Sequence, residues 1–376
     1  MSELASYSIQ AVFFALVAVV VVSRSKKTDL YQIALISIWL IGVIAIFARY
    51  RNDQVYFYSN DQLFHFRVID YYLPQEGLSF EGIIGLRYLL TIPAYLISLL
   101  GFNAMLVIKF AQLSALLGIY SAAKTYLGEH SLKIKYWYIP MISGPLLVFM
   151  SLLSLRDVIL AYFAILFTFR STLKLKFFPV ICMFLLRPHL GVSMAFGLVI
   201  AQIFAHFKPR FKILNLLLLS FGSYVFGSFS YWIGALIQQG ASLQLPTSVF
   251  SQLKITRLLA NFTGLQFLTL RDSENLVVSA TNASLLLSRI VFFETICIPV
   301  IFLVCVFRPF SINNLAKIQT LQAFLFFYGV VSQTTWNSTR QNIPFLACMG
   351  VLAVADIEHF RKIKAKVAPK LLTATR

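Results

Sequence analysis

The sequence predicts an all-α, polytopic integral membrane protein of about eleven transmembrane or half-spanning helices, with an external loop built from amphipathic helix. Three observations predict it. Hydrophobic residues make up 59% of the 376-residue chain and charged residues only 12%, whereas a soluble domain carries about 25% charged residues. Apolar runs long enough to cross a bilayer recur from end to end, without the weak alternation of a membrane β-barrel. The charges gather in short clusters between those runs. Residues 1–376 therefore read as one membrane domain.

Taken in order, the first run covers residues 7–23 and is followed at once by Arg24, Lys26 and Lys27. Glu3 precedes it and no small-residue cleavage site follows, so it reads as a retained span and not a cleavable signal. The second run is 31–48. A long mixed stretch, 49–101, comes next, and then runs at 102–123, 136–155, 158–169, 177–186, 190–205 and 213–236. A polar loop covers 238–282. Runs at 284–307, 318–331 and 341–355 precede a basic tail, 356–376.

Segment 86–100 decides the parity of everything after it. It is apolar, but Arg87 and Pro93 interrupt it. If it lies flat in the interface, every dense basic cluster falls on one side, as the positive-inside rule asks. That side then holds 20 of the 32 Lys and Arg but only 4 of the 14 Asp and Glu. The net charge of +18 is thus mostly a cytoplasmic charge, and it gives no reason to expect nucleic acid as a partner. The expected topology has the N-terminus outside and the C-terminus cytoplasmic.

Three arginines break the apolar pattern. Arg156-Asp157 sits between runs 136–155 and 158–169, Arg187-Pro188-His189 between 177–186 and 190–205, and Arg340 just before 341–355. All three fall on the external side of the expected topology. Runs 158–169 and 177–186 are only about 18 and 15 Å long, against a hydrocarbon core of about 30 Å. Arg156 and Arg187 are therefore expected well below the outer surface, where charge is tolerated only in a protein-lined or wet cavity. Arg156-Asp157 has a bland reading as a self-neutralising hairpin pair. Arg187 has no carboxylate beside it in sequence, so an anion is expected there, and a guanidinium fork suits phosphate. His189 reads equally as an interfacial histidine, and Arg340 as an interfacial anchor.

In the first external loop, Ser59 and Gln62 fit a capping box that opens a helix. Asp61 lies in its first turn, and His65 shares a face with it. Asp61 reads either as a dipole-favoured surface residue or as a general base, with His65 as the alternative base. Lys109 and Glu294 lie inside runs and are expected to pair with each other. Cys182, Cys297, Cys305 and Cys348 read as buried thiols. No Gly-rich phosphate loop or metal-ligand spacing is present in the sequence, so neither a metal nor a cofactor is expected. Sequon matches at Asn261, Asn282 and Asn337 are short enough to arise by chance.

This layout resembles the Wzy/EpsG-type repeat-unit polymerases: an Asp-bearing external loop after the second span, an Arg heading a central span, an Arg-Pro-His one hairpin later, and a late Arg. These are bacterial inner-membrane glycosyltransferases of O-antigen and capsule assembly. The resemblance implies that Arg156, Arg187 and Arg340 hold the pyrophosphate of an undecaprenyl-pyrophosphate-linked oligosaccharide at the periplasmic face. Asp157 and His189 would support them. Asp61 or His65 would activate the acceptor hydroxyl. A chain-length regulator is the protein partner such an enzyme would have. Residues 60–128 also resemble the C-type glycosyltransferases, with a corner at Leu99-Leu100-Gly101-Phe102, although Asn60 replaces the first of that family's paired acids. The two rivals are accordingly a C-type transferase adding one sugar from a polyprenyl-phosphate donor, and a lipid-oligosaccharide flippase.

Overall fold

The computed structural model describes residues 3–24, 29–50, 60–78, 87–170, 172–207, 212–239, 294, 296–307, 314–332 and 339–374. Among these, all regular structure is helical. Six helices are long and apolar enough to cross a membrane. They belong to α1 (Glu3–Arg24), α2 (Leu30–Tyr50), α5 (Ala104–Glu129), α10 (Pro188–Phe207), α11 (Lys212–Gln239) and α14 (Ile343–Ala374). Between them lie α3 (Asn60–Arg67), α4 (Tyr88–Ser98), α6 (Ile139–Ile142), α7 (Pro145–Ser151), α8 (Asp157–Phe169), α9 (Leu173–Leu186), α12 (Ile296–Val306) and α13 (Asn314–Ser332). Residues 240–282 of the polar loop, residues 283–293 at the start of the next run, and Ser59 lie outside the described residues.

Six of the expected spanning or half-spanning helices are full-length among the described residues, with shorter apolar helices at Tyr88–Ser98, Asp157–Phe169 and Ile296–Val306. The run expected as one span, 136–155, is in pieces: a 3-10 turn at Tyr136–Tyr138, then α6, then α7. Pro140 and Pro145 explain the first break, since each removes an amide donor inside the run. Residues 152–156 form the second break. Helix α4, at about 16 Å, is too short to cross the bilayer core. Helix α14 continues from the last apolar run through the basic tail to Ala374.

Contacts sort the helix ends into two groups. At one end Asp29 accepts from Tyr120 at 2.6 Å and pairs with Lys124 at 3.3 Å. Lys135 and Tyr138 meet Glu358, and Phe169 packs on Tyr126. Lys317 forms a buried ion pair with Asp356. This end gathers Lys124, Lys135, Arg170 and Arg361. At the other end Gln10 of α1 clamps the corner before α5, accepting from the Asn103 amide at 2.7 Å and donating to the Gly101 carbonyl. Asn103 caps α5 through the Leu106 amide.

Helix α13 sits between α10 and α11. The contact is close because Gly227 and Gly329 face each other: a Cβ on Gly227 would lie 2.1 Å from the Phe326 carbonyl oxygen. Small residues at such a crossing let backbones touch, which is how membrane helices gain packing without a hydrophobic driving force. The outward faces of α1, α9 and α11 carry exposed Val21, Phe177 and Leu218, as a lipid-covered surface would. All four cysteines are free; Cys182, Cys305 and Cys348 are buried as expected, but Cys297 is exposed.

Candidate functional site

The unwound segment 152–156 is the centre of the arrangement. Leu153, Ser154 and Leu155 are at most 2% exposed, so their peptide groups have no water to bond. Irregular backbone at such a position survives only when protein groups satisfy it. Three side chains do so. Trp39 Nε1 of α2 donates to the Ser151 carbonyl at 3.1 Å. His65 Nδ1 of α3 lies 2.8 Å from the Ser154 carbonyl oxygen. Gln112 of α5 donates to the Leu155 carbonyl and accepts from the Val158 amide at 3.0 Å. Ser154 Oγ in turn donates to the Met105 carbonyl. The break therefore lies alongside the first turns of α5, between Met105 and Gln112.

Two arginines from two breaks then cross-link. Arg156 precedes α8 and donates to the Leu186 carbonyl, the last residue of α9. Arg187 ends α9 with an extended backbone, and its Nη2 meets Asp157 Oδ1 at 3.1 Å. Asp157 is 1% exposed and Arg187 7%. The expectation that Arg187 lacks a carboxylate and that Asp157 serves Arg156 is therefore corrected. Sequence adjacency misled because Asp157 is the first residue of α8, where its side chain turns toward the neighbouring hairpin. His189 is exposed and opens α10. It lies close enough to feel the positive charge of both Arg187 and Arg156. The structure thus brings together Arg156, Asp157, Arg187 and His189.

His65 is fully buried, and its tautomer follows from its partners. Arg87 Nη1 lies 3.0 Å from His65 Nε2. A guanidinium only donates, so Nε2 accepts and Nδ1 carries the proton that goes to Ser154. Both ring nitrogens are engaged in holding the break, and the Arg87 guanidinium also lies over the Phe64 ring. Asp61 lies in α3, one turn before His65, and Arg340 in the 3-10 turn Thr339–Asn342 that leads into α14. The side chains of both lie outside the described residues. Lys109 and Glu294 do not pair: Lys109 donates to the Tyr7 hydroxyl at 3.2 Å, while Glu294 accepts from the Leu146 amide at 2.8 Å.

Sequence reasoning missed Gln112, Trp39 and Arg87 as members of this cluster. Gln112 left a signal, a lone amide within an apolar run. Arg87 was visible as an interruption. Nothing distinguishes Trp39 from the other aromatics of its span. Among the described residues no group of three or more His, Cys, Asp or Glu is placed to hold a metal. No family model, no curated protein and no solved structure matches this chain.

Proposed function

We propose that the chain is a bacterial inner-membrane glycosyltransferase that polymerises undecaprenyl-pyrophosphate-linked oligosaccharide repeat units at the periplasmic face. The observation that carries this reading is the convergence of Arg156 and Arg187, from two separate helix breaks, beside an exposed His189. Buried charge on broken membrane helices marks a substrate path. A pyrophosphate would bond Arg156 and compete with Asp157 for Arg187. Charge that develops on the departing pyrophosphate would be stabilised by groups already in position, which is the strongest lever such a site has. Arg340, at the start of α14, would complete the set.

Asp61 would activate the acceptor hydroxyl, since His65 is engaged on both nitrogens. The outside placement of the site follows from the positive-inside rule applied to the two groups of helix ends. A cysteine placed at Ser131 should then be shielded from an impermeant reagent in intact cells, and labelling there would reverse the orientation.

A flippase is the second reading. The doubly broken stretch 136–157 favours it, because discontinuous helices line transport sites. One experiment separates the two: a gel of surface polysaccharide from a deletion strain. Loss of the polymerase leaves single-repeat material on the surface. Loss of a flippase leaves none. An unchanged ladder rejects both for that polysaccharide.

A further inference from the structure

A carboxylate lies inside an apolar run, apart from the arginine pair. Glu294 belongs to run 284–307 and stands two residues before α12. It is partly buried, and its Oε2 accepts from the Leu146 amide at 2.8 Å. Its other oxygen, Oε1, fills the place where a Gly144 Cβ would sit, and the Pro140 carbonyl oxygen lies 2.5 Å from that same point. The chain is unwound there, between α6 and α7, with Ser143 and Gly144 both outside helical dihedrals. Two acceptor oxygens therefore border one point. A small cavity adjoins it, with about 10 Å³ open to the centre of a water molecule, which is about what one water needs. Its walls include Met141 of α6, Leu147 of α7, Ile298 of α12 and Leu346 of α14, none of them titratable. Cys297, beside Ile298, is exposed. Among the described residues, the titratable side chain near Glu294 is Tyr31 of α2. Its hydroxyl lies 2.9 Å from Ser143 Oγ, and its ring is 5.0 Å from that of Tyr120, which donates to Asp29. Hydroxyl groups thus lead from the basic end of the bundle to the break beside Glu294.

We infer that Glu294 is a proton-binding site within the membrane, loaded from the basic end of the bundle past Tyr31 and Ser143. An ionised carboxylate only accepts hydrogen bonds, whereas a protonated one donates through its O–H. With Oε1 ionised, it and the Pro140 carbonyl would be facing acceptors with nothing between them. With Oε1 protonated, the O–H donates to that carbonyl or to a water in the cavity, and Oε2 keeps the Leu146 amide. A charge against apolar walls is also costly, and taking up a proton removes that cost. A metal cation fits less well, because hard cations take about six or more oxygen ligands and the remaining walls here are apolar. The step is a proton transfer alone: hydronium at the basic end gives its proton to Oε1 and becomes water, and release reverses it. The proton holds α12 to the break between α6 and α7, so loading and release act on the same run, 136–155, that leads to Arg156.

The test is modification of the full-length protein in membrane vesicles by dicyclohexylcarbodiimide, which reacts with protonated carboxyls in apolar surroundings, read by mass spectrometry of the peptides. An ordinary carboxyl with a pKa of about 4.3 is only about 0.2% protonated at about pH 7. The Glu294 peptide should therefore label at least about tenfold faster than the Asp29 peptide at that pH. Equally slow labelling of the two would show an ionised Glu294 and overturn the inference. Glu294→Gln should abolish the label and keep the unfolding temperature, because its amide donates where the carboxyl proton did. A Gln variant that unfolds early would show that the fold holds the charge and not the proton. Replacing choline chloride by sodium chloride should leave the labelling unchanged, and protection by sodium would make this a cation site instead. In inverted vesicles, whose outer buffer meets the basic end, raising the outer pH should suppress the label, and in right-side-out vesicles it should not. The reverse pattern would overturn the loading route, and no response from either side would reduce the proton to a fixed hydrogen bond. None of these readouts depends on polymerisation, so the outcome is separate from that of the reading under Proposed function.

Discussion

Replacing Arg187 by Gln tests the central claim about the site most directly. Arg187 and Asp157 meet at 3.1 Å with side chains 9% and 1% exposed. Removing the guanidinium takes this ion-pair partner from a carboxylate whose side chain is 1% exposed. Breaking a buried ion pair from one side costs about 3–5 kcal/mol, most of it the uncompensated charge. The double variant Arg187→Gln with Asp157→Asn removes both charges and should recover most of that loss, since neutral replacement of a buried pair is often tolerated. The assay is thermal unfolding in detergent, with polymer formation from purified lipid-linked repeat units measured in parallel. The single variant should be markedly less stable, and the double variant near wild-type in stability yet inactive. Equal stability of the single and double variants would show that the pair is not enclosed. A fully active double variant would reduce the pair to a structural fastening and remove Arg187 from the proposed pyrophosphate site.

Three further predictions follow from the surroundings of the break and from the basic end. Gln112→Leu strips a partner from both the Leu155 carbonyl and the Val158 amide; at about 1–3 kcal/mol for each stranded group, it should destabilise more than Gln112→Glu, measured by the same unfolding assay. Gly144→Ala should also destabilise, because its Cβ would collide with Glu294 Oε1 and would lie 2.5 Å from the Pro140 carbonyl oxygen; adding Glu294→Ala should recover only part of the loss, since the backbone clash stays, and a Gly144→Ala protein as stable as wild type would contradict the contact. Burial opposes the Asp29 carboxylate, but hydrogen bonds from Tyr120, the Tyr31 amide and Lys124 outweigh it and hold its pKa below the ordinary 3.8. A carboxyl with a depressed native pKa stabilises the fold above its unfolded pKa and loses that contribution as pH falls through the native value. Unfolding temperature should therefore drop more steeply below about pH 4 in the wild type than in Asp29→Asn.

Much of this protein is legible along the chain. Its helical membrane class follows from composition, because only a helix satisfies every peptide group within a long apolar run. The gathering of Lys124, Lys135 and Arg170 at one end of the bundle follows from the alternation of those runs. What the chain could not reveal is pairing. Asp157 is adjacent to Arg156 in sequence, yet it serves Arg187, which lies thirty residues away. Glu294 and Lys109 looked complementary but are held by Leu146 and Tyr7.

The same limit applies to the break at 152–156. Prolines at 140 and 145 announce the first interruption of run 136–155, but nothing in residues 152–156 forbids helix. That segment unwinds where Trp39, His65 and Gln112 converge to accept and donate the peptide hydrogen bonds that a helix would have made for itself. Periodicity and charge are properties of neighbouring residues, so sequence alone located the apolar runs and the charged clusters between them. Satisfaction of buried polar groups depends on residues more than a hundred positions apart, as Trp39 and Ser151 are, so only the tertiary structure decided which charges meet, and where the chain is free to leave the helix.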